Sequence, residues 1–229
     1  MRKKSNVKKI IILGAILLLP SFVYLFLTVG KHNIFSLPYY GPREATSRIE
    51  NGKEKTDTVY FTIPEFSFIN QHGKKFTQEE MKEKIVVANF FFVKCPTICP
   101  KMATHIYDVQ KTFEGNKDIL FVSHTVNPEN DSVPVLAEYA EKVHAGNQWH
   151  FLTGNKDEIY NIAMKGYFVS AMPDEIAPGG FLHSEMLILL DKEGHIRGYF
   201  DGTSTSEAKK LKDAIRILMA SEHIPKKKK

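Results

Sequence analysis

The chain of 229 residues carries a formal net charge of +5, but nine of its 31 basic residues lie in two short tails, residues 1–9 and 226–229. The remaining 22 basic and 26 acidic residues make the rest of the chain mildly acidic. Because a nucleic-acid-binding domain needs a basic face on its folded part, this balance argues against nucleic acid as a partner.

The segment at residues 10–30 is apolar, and we predict that it is a transmembrane anchor. Ile10 to Val29 include no charged side chain, and about 20 apolar residues are what a helix needs to cross a bilayer. The basic tail 1–9 precedes the segment, which predicts a cytoplasmic N-terminus. No small-residue cleavage site and no Arg- and Ser-rich transit peptide is recognisable. We therefore expect a single-pass protein of the bacterial inner (cytoplasmic) membrane whose domain faces the periplasm.

The stretch that follows, residues 31–58, is predicted to be a linker. It includes the turn-forming run Leu37–Pro42 and a polar stretch, Thr46–Asp57, with few apolar residues. Residues 59–225 are then predicted to form one domain, because about 170 residues can bury a single adequate core. The four lysines at 226–229 are predicted to be a solvated tail.

Strands and helices alternate along this domain. Short apolar or alternating runs predict strands at Glu65–Ile69, Lys75–Thr77, Ile85–Val93, Ile119–Val126, Met186–Leu190 and Ile196–Phe200. Helical spacing and capping residues predict helices that begin after Pro100, Ser132, Asn155 and Ser204. The order of strand, helix, strand, helix, helix, hairpin and helix predicts an α/β, thioredoxin-like domain.

Cys95 and Cys99 are the only cysteines of the chain and lie where a buried strand passes into a helix. A helix N-terminus presents unpaired N–H groups and a positive dipole end, so we expect a lowered thiol pKa there. A thiolate is both a redox nucleophile and a ligand for soft metals. A disulfide that closes so short a loop constrains the unfolded chain little, so a purely structural bridge is the weaker interpretation.

His183 is the best candidate for a third ligand. It lies just before a hairpin strand, and in a thioredoxin-like fold that turn faces the dithiol. Two thiolates and one imidazole form a site suited to copper, whereas zinc would prefer a fourth Cys or His. Of the other histidines, His105 is predicted to be solvated or partly packed, and His124 to be buried with satisfied hydrogen bonds.

These residues resemble the Sco/SenC copper chaperones of cytochrome oxidase assembly over roughly Tyr60–Ser221. The family motif C-x-x-x-C-P is matched by Cys95, Cys99 and Pro100, and its distal His-Ser by His183 and Ser184. The stretch Trp149–Gly154 resembles its W-x-x-L-T-G segment. The resemblance implies that Cys95, Cys99 and His183 bind copper, as Cu(I) or Cu(II). It also implies that the protein delivers copper to the CuA centre of oxidase subunit II, or reduces the cysteines of that centre.

The chain departs from the family pattern at two positions. Where the family has an Asp-Pro pair after the second strand, this chain has Asn127, although Asp131 matches the second acid of that motif. Where the family often has an acid before its histidine, this chain has Leu182. Both changes make the surroundings of the site less anionic, and such surroundings tune metal sites. Asp131 is a candidate outer group of the site, or simply a turn or helix-start carboxylate.

Three alternatives use the same residues differently. An exported thiol–disulfide oxidoreductase would need the dithiol but not His183, so we leave enzyme activity open beside the chaperone function. A thiol peroxidase would need one attacking thiol beside Thr or Arg, and no arginine is near Cys95 in sequence. A redox-sensing or binding module that uses the domain only as a docking platform would need neither cysteine. The partner that we expect for the chaperone function is oxidase subunit II or another exported copper or thiol protein.

Overall fold

The computed structural model describes residues 4–29, 36–50, 53–173 and 181–222. The chain divides into two compact units, Met1–Ser36 and Leu37–Lys229. The first unit contains helix α1 (Lys4–Val29), which includes Pro20. Within the described residues, no helix meets the length and apolarity needed to span a membrane. The anchor predicted at residues 10–30 is therefore not confirmed.

The second unit begins with a hairpin that sequence reasoning missed. Strands β1 (Arg43–Glu50) and β2 (Lys53–Tyr60) pair antiparallel, with Arg43 opposite Tyr60. They lie largely within residues 31–58, so the predicted linker contains regular structure. The hairpin forms although its residues are mostly polar, because its backbone groups pair between the strands and β-branched residues suit a pleated surface.

A seven-stranded sheet forms the centre of this unit, in the order β11-β10-β5-β6-β7-β3-β4. Its strands are β3 (Ser67–Asn70), β4 (Lys75–Thr77), β5 (Ile85–Phe91), β6 (Ile119–Thr125), β7 (Trp149–Thr153), β10 (Met186–Leu190) and β11 (Ile196–Asp201). The pairs β5–β6 and β6–β7 are parallel, and the others are antiparallel. Every residue of β5 and β6 is buried. The six predicted strands are thus confirmed, and β7 is an addition.

Helices connect and cover the strands of the sheet. They are α2 (Ile98–Thr112), α3 (Val133–Lys142), α4 (Lys156–Asn161) and α5 (Thr205–Glu222), with a 3₁₀ turn at Gln78–Met81 and a π-helical turn at Ile162–Gly166. Because the parallel crossovers from β5 to β6 and from β6 to β7 are right-handed, α2 and α3 share one face. The four predicted helices are confirmed, and α2 packs against α5.

A short antiparallel pair precedes the last hairpin. Strand β8 (Ala171–Pro173) pairs with β9 (Phe181–His183), so that Ala171 is opposite His183. The backbone N–H of Ser184 donates to the carbonyl of Ser170 at 3.0 Å, which closes the base of this pair. The chain then enters β10 and the central sheet.

Candidate metal and redox site

The two cysteines lie at the turn between β5 and α2, as predicted. The backbone N–H of Cys95 donates to the carbonyl of Phe92 at 3.2 Å, which tightens the turn after the strand. Helix α2 begins at Ile98. Pro100 falls in its first turn, where a missing N–H costs no helical hydrogen bond.

Both thiols are buried, and a hydrogen bond connects them. The exposed fractions of Cys95 and Cys99 are 7% and 3%. A hydrogen bond with Cys95 and desolvation raise the pKa of Cys99, and they outweigh an opposing backbone hydrogen bond at Phe92. The prediction of a lowered thiol pKa is therefore wrong for Cys99, because the hydrogen bond with Cys95 and the loss of solvent together disfavour the thiolate more than the helix N-terminus favours it.

Asp131 connects the cysteine loop to the end of β6. One of its carboxylate oxygens accepts hydrogen bonds from the backbone N–H of Val93, at 3.1 Å, and from the hydroxyl of Thr125. Burial raises the pKa of Asp131, opposed by these hydrogen bonds and by Lys94. Its charge also contributes to the raised pKa of Cys99. The side chain therefore fixes the loop and acts electrostatically on the site.

Asn127, the first departure from the family pattern, builds the turn that carries Asp131. Its carbonyl accepts from the backbone N–H groups of Asn130 and Asp131, at 3.1 and 2.9 Å. Its side-chain oxygen accepts from the amide of Asn130 at 2.9 Å. These bonds need an oxygen acceptor but no charge, so the asparagine performs this structural role. Leu182, the second departure, lies in β9 opposite Met172.

The backbone brings His183 to the same edge of the sheet as the dithiol. Strands β10 and β5 are antiparallel, with Ile188 opposite Ala88. The residues before Met186 therefore lie beyond the end of β5, where Cys95 follows. The side chain of His183 is outside the described part of the structure, so its role as a ligand stays a prediction.

His105 packs as predicted. Its Nδ1 lies 2.7 Å from the carbonyl oxygen of Gly202 and its Nε2 lies 3.3 Å from the hydroxyl of Thr205, so it ties α2 to the start of α5. Gly202 cannot be larger here, because an added Cβ would lie 2.8 Å from the carbonyl of Glu185.

His124 is buried, but the prediction that its hydrogen bonds are satisfied is wrong. Its Nε2 lies 3.4 Å from the hydroxyl of Tyr167, whereas its Nδ1 has no partner. The ring stacks on Phe90 at 5.0 Å and meets Phe66 edge-on at 5.6 Å. Desolvation in this aromatic cage lowers the pKa of His124 to about 3. The histidine is on the sheet face opposite α2, away from the groups around Cys99.

Tyr139 is a site residue for which the sequence predicted only an inward-facing position on a helix. It stacks on Phe91 with ring centroids 5.2 Å apart. Burial, with the neighbouring Cys99, Cys95 and Asp131, raises the pKa of its phenol. The helical spacing of α3 revealed that it points inward, but the neighbours come from β5 and α2, which only the fold brings together.

A second polar cluster lies at the opposite end of β10 and β5. Asp191 accepts a hydrogen bond from Arg197 at 2.8 Å, and its carboxylate lies 3.2 Å from Nδ1 of His195. Arg197 also donates to the carbonyls of Pro38 and Leu37, at 3.0 and 2.5 Å. Although Asp191 and His195 could ligate a metal together with Glu193, these bonds indicate a structural junction.

The SCO1/SenC family model matches residues 54–220. The chain belongs to the SCO1/SenC family. A relative from Bacillus subtilis (strain 168), the "SCO1 protein homolog", is 30% identical over 158 residues, which are 68% of this chain and 81% of the relative.

Solved structures of family members are also similar. BsSco, described as having a disulfide switch and as a member of the Sco family of cytochrome c oxidase assembly proteins, is 28% identical with a TM-score of 0.60. The match covers 69% of this chain and 93% of BsSco. Arabidopsis thaliana ScoI with copper bound is 25% identical with a TM-score of 0.58, over 68% of this chain and 99% of that one. These similarities confirm the thioredoxin-like α/β fold.

Proposed function

We propose that this SCO1/SenC protein is a copper-binding metallochaperone with a redox-active dithiol. The observation that carries the proposal is the pair of buried, mutually hydrogen-bonded thiols at the strand-to-helix turn. Two soft sulfur donors side by side suit a soft cation better than a hard one. The copper-bound Arabidopsis relative supports copper as the cargo.

In this proposal Cys95, Cys99 and His183 hold copper, which is cargo to be passed on. Thiols must lose their protons to bind, so copper affinity falls as the pH falls. The raised pKa of Cys99 makes this proton release more costly at neutral pH. Asp131 holds the loop that carries Cys95 in position through Val93. The recipient that we propose is the CuA centre of cytochrome c oxidase subunit II, or another exported copper protein.

A redox function of the same two residues is the second candidate. Oxidation of Cys95 and Cys99 to a disulfide releases two protons and passes two electrons to a partner disulfide, which becomes two thiols. The disulfide switch described for BsSco favours this reaction. The protein would then be an exported thiol–disulfide oxidoreductase that keeps the cysteines of its acceptor reduced, and it would not need His183.

We also propose that residues 10–30 anchor the protein in the bacterial inner membrane. The support is the uncharged segment Ile10–Val29 after a basic tail. The N-terminus would then be cytoplasmic, and the domain would face the periplasm, where an exported oxidase subunit could be reached.

Copper titration of the reduced, full-length protein in detergent micelles tests the proposal. We expect one copper per chain and, for His183→Ala, an affinity at least about tenfold lower, because one of three ligands is lost. The matched control is His72→Ala, an exposed histidine away from the dithiol edge, which should bind copper like the wild type.

Two results would count against the copper site. Undiminished affinity in His183→Ala would remove His183 from the ligand set. No tight copper binding by the wild type, together with a readily cycled disulfide, would replace the chaperone with the oxidoreductase.

A further inference from the structure

A groove opens beside the two cysteines, between α2 and α3. Its volume is about 310 Å³, at the lower end of the range for ligand pockets, roughly 300–1,000 Å³. Cys95, Cys99 and Ala103 contribute a buried floor, whereas Thr104 and Lys142 are exposed at the mouth. The groove can therefore receive a few side chains of an extended peptide, but it is too small for a folded element.

The width of this groove is fixed by a buried glutamine. Gln110 of α2 donates through its side-chain nitrogen to the carbonyl of His144 at 3.3 Å and accepts from the N–H of Gly146 at 2.9 Å. His144 has a φ of 55°, a left-handed conformation that is uncommon outside glycine. The end of α3 is thus held against α2 before any ligand arrives, which lowers the ordering cost of binding.

The lining has a definite chemistry. Tyr107, Tyr139 and Val143 contribute aromatic and aliphatic surface, and Lys142 and His144 are the polar side chains at the rim. None of the described residues that line the groove carries a carboxylate. A complementary occupant therefore has an apolar side chain for the walls and a negative charge for Lys142.

We propose that this groove docks an extended segment of the partner protein with which the dithiol exchanges metal or electrons. The segment carries a cysteine, an adjacent apolar side chain and a nearby carboxylate. With the apolar side chain beside Tyr107 and Val143, the partner's thiol lies over the floor that Cys95 and Cys99 form. The inference rests on the proposed function and adds to it a docking place and the side-chain chemistry of the partner.

Peptide binding to the reduced, full-length protein in detergent micelles tests this docking site. The probe is a fluorescent eight-residue peptide with a leucine, two glutamates and a serine in place of the cysteine, which prevents disulfide exchange. The comparison peptide has glutamines instead of glutamates. Fluorescence anisotropy should show that the acidic peptide binds at least about threefold more tightly, as expected for an exposed ion pair.

Two substitutions locate the binding. Lys142→Glu should remove the preference for the acidic peptide, whereas Lys209→Glu, an exposed lysine of α5, should preserve it. Thr104→Trp fills the groove from an exposed position and should weaken both peptides at least about tenfold, because the apolar contact is lost. Copper titration of Lys142→Glu should give the wild-type affinity.

The proposal is overturned if Lys142→Glu and Lys209→Glu affect the acidic peptide equally, or if Thr104→Trp binds both peptides like the wild type. Failure of the wild type to bind copper would refute the metallochaperone function separately. The peptide measurements would still decide the docking site, because the serine probe needs neither metal nor a redox reaction.

Discussion

Two polar clusters lie at opposite ends of the central strands and respond differently to burial. At one end, Asp191 is compensated by Arg197 at 2.8 Å and by His195 at 3.2 Å. At the other end, the pKa values of Cys99 and Asp131 are both raised, for Cys99 by a hydrogen bond with Cys95 and by desolvation, and for Asp131 by desolvation. In the compensated cluster, Arg197 also joins β11 to the chain at Leu37 and Pro38. At the dithiol end, a bound cation would favour the ionised forms of Cys99 and Asp131.

The largest effect is expected from removing the two sulfur donors of the dithiol cluster. The double substitution Cys95→Ser and Cys99→Ser should abolish tight copper binding, with a loss of at least about a thousandfold, because hydroxyls are poor ligands for a soft metal. Copper titration with a competing chelator measures the loss. A circular dichroism melt should show that the variant remains folded. Tight binding of copper by this variant would contradict the site.

The next largest effect should be on stability, from a substitution in the cluster around Asp191. Arg197→Met leaves the buried Asp191 without its guanidinium, and breaking a buried pair costs about 3 kcal/mol of unfolding free energy. Urea unfolding measures this cost, and copper affinity should not change.

The matched control for this substitution is Arg216→Met, which breaks an exposed pair with Asp213 and should leave the midpoint unchanged. Equal effects of Arg197→Met and Arg216→Met would show that burial does not distinguish the two pairs.

A third test concerns the other face of the sheet. The pKa of His124 is lowered to about 3 from 6.5, so its neutral form is favoured in the folded state. Its contribution to stability is complete above pH 6.5 and is lost as the pH falls toward 3. Between pH 6.5 and 5 the wild type should lose about 2 kcal/mol from this group.

His124→Phe should remove that loss and match or exceed the wild-type stability at pH 7, because an unsatisfied buried nitrogen disappears. Urea unfolding at pH 7, 6 and 5 is the measurement, with the exposed His72→Gln as control. An unchanged dependence on pH in His124→Phe would contradict the assignment.

The smallest expected effect tests how the charge of Asp131 influences the thiols. Asp131→Asn keeps an oxygen acceptor for Val93 and Thr125 but removes a charge that raises the pKa of Cys99. We expect the thiols of the reduced protein to react roughly two- to threefold faster with iodoacetamide at pH 8, since more thiolate is present. A slower reaction would mean that the loop has moved.

The fold could be predicted well wherever a local pattern has one structural meaning. Apolar runs such as Ile85–Val93 gave buried strands, and the capping residue Asn155 does accept from the N–H of Glu158. The β1–β2 hairpin was missed because its residues are mostly polar. Strand β7 is not predicted because the clearest pattern in the stretch from Trp149 is a family motif rather than a strand pattern.

The site could be predicted in its residue types but not in its electrostatics. The spacing of Cys95 and Cys99 identified the dithiol and its turn. The partners of Asp131 include Val93, 38 residues away, and no local pattern connects the two. The raised pKa of Cys99 depends on the depth of burial, and the unsatisfied nitrogen of His124 depends on which face its ring occupies. Only three-dimensional packing determines these properties.

The buried state of Cys99 has a consequence for the lifetime of the reduced protein. Thiolates, rather than thiols, react with disulfides and peroxides, so Cys99, which is held protonated, is itself slow to react in chance encounters. A soft cation removes this protection by displacing the proton as it binds. The hydrogen bond with Cys95 and the desolvation that weaken Cys99 as an acid thus also slow its chance oxidation until a metal ion binds.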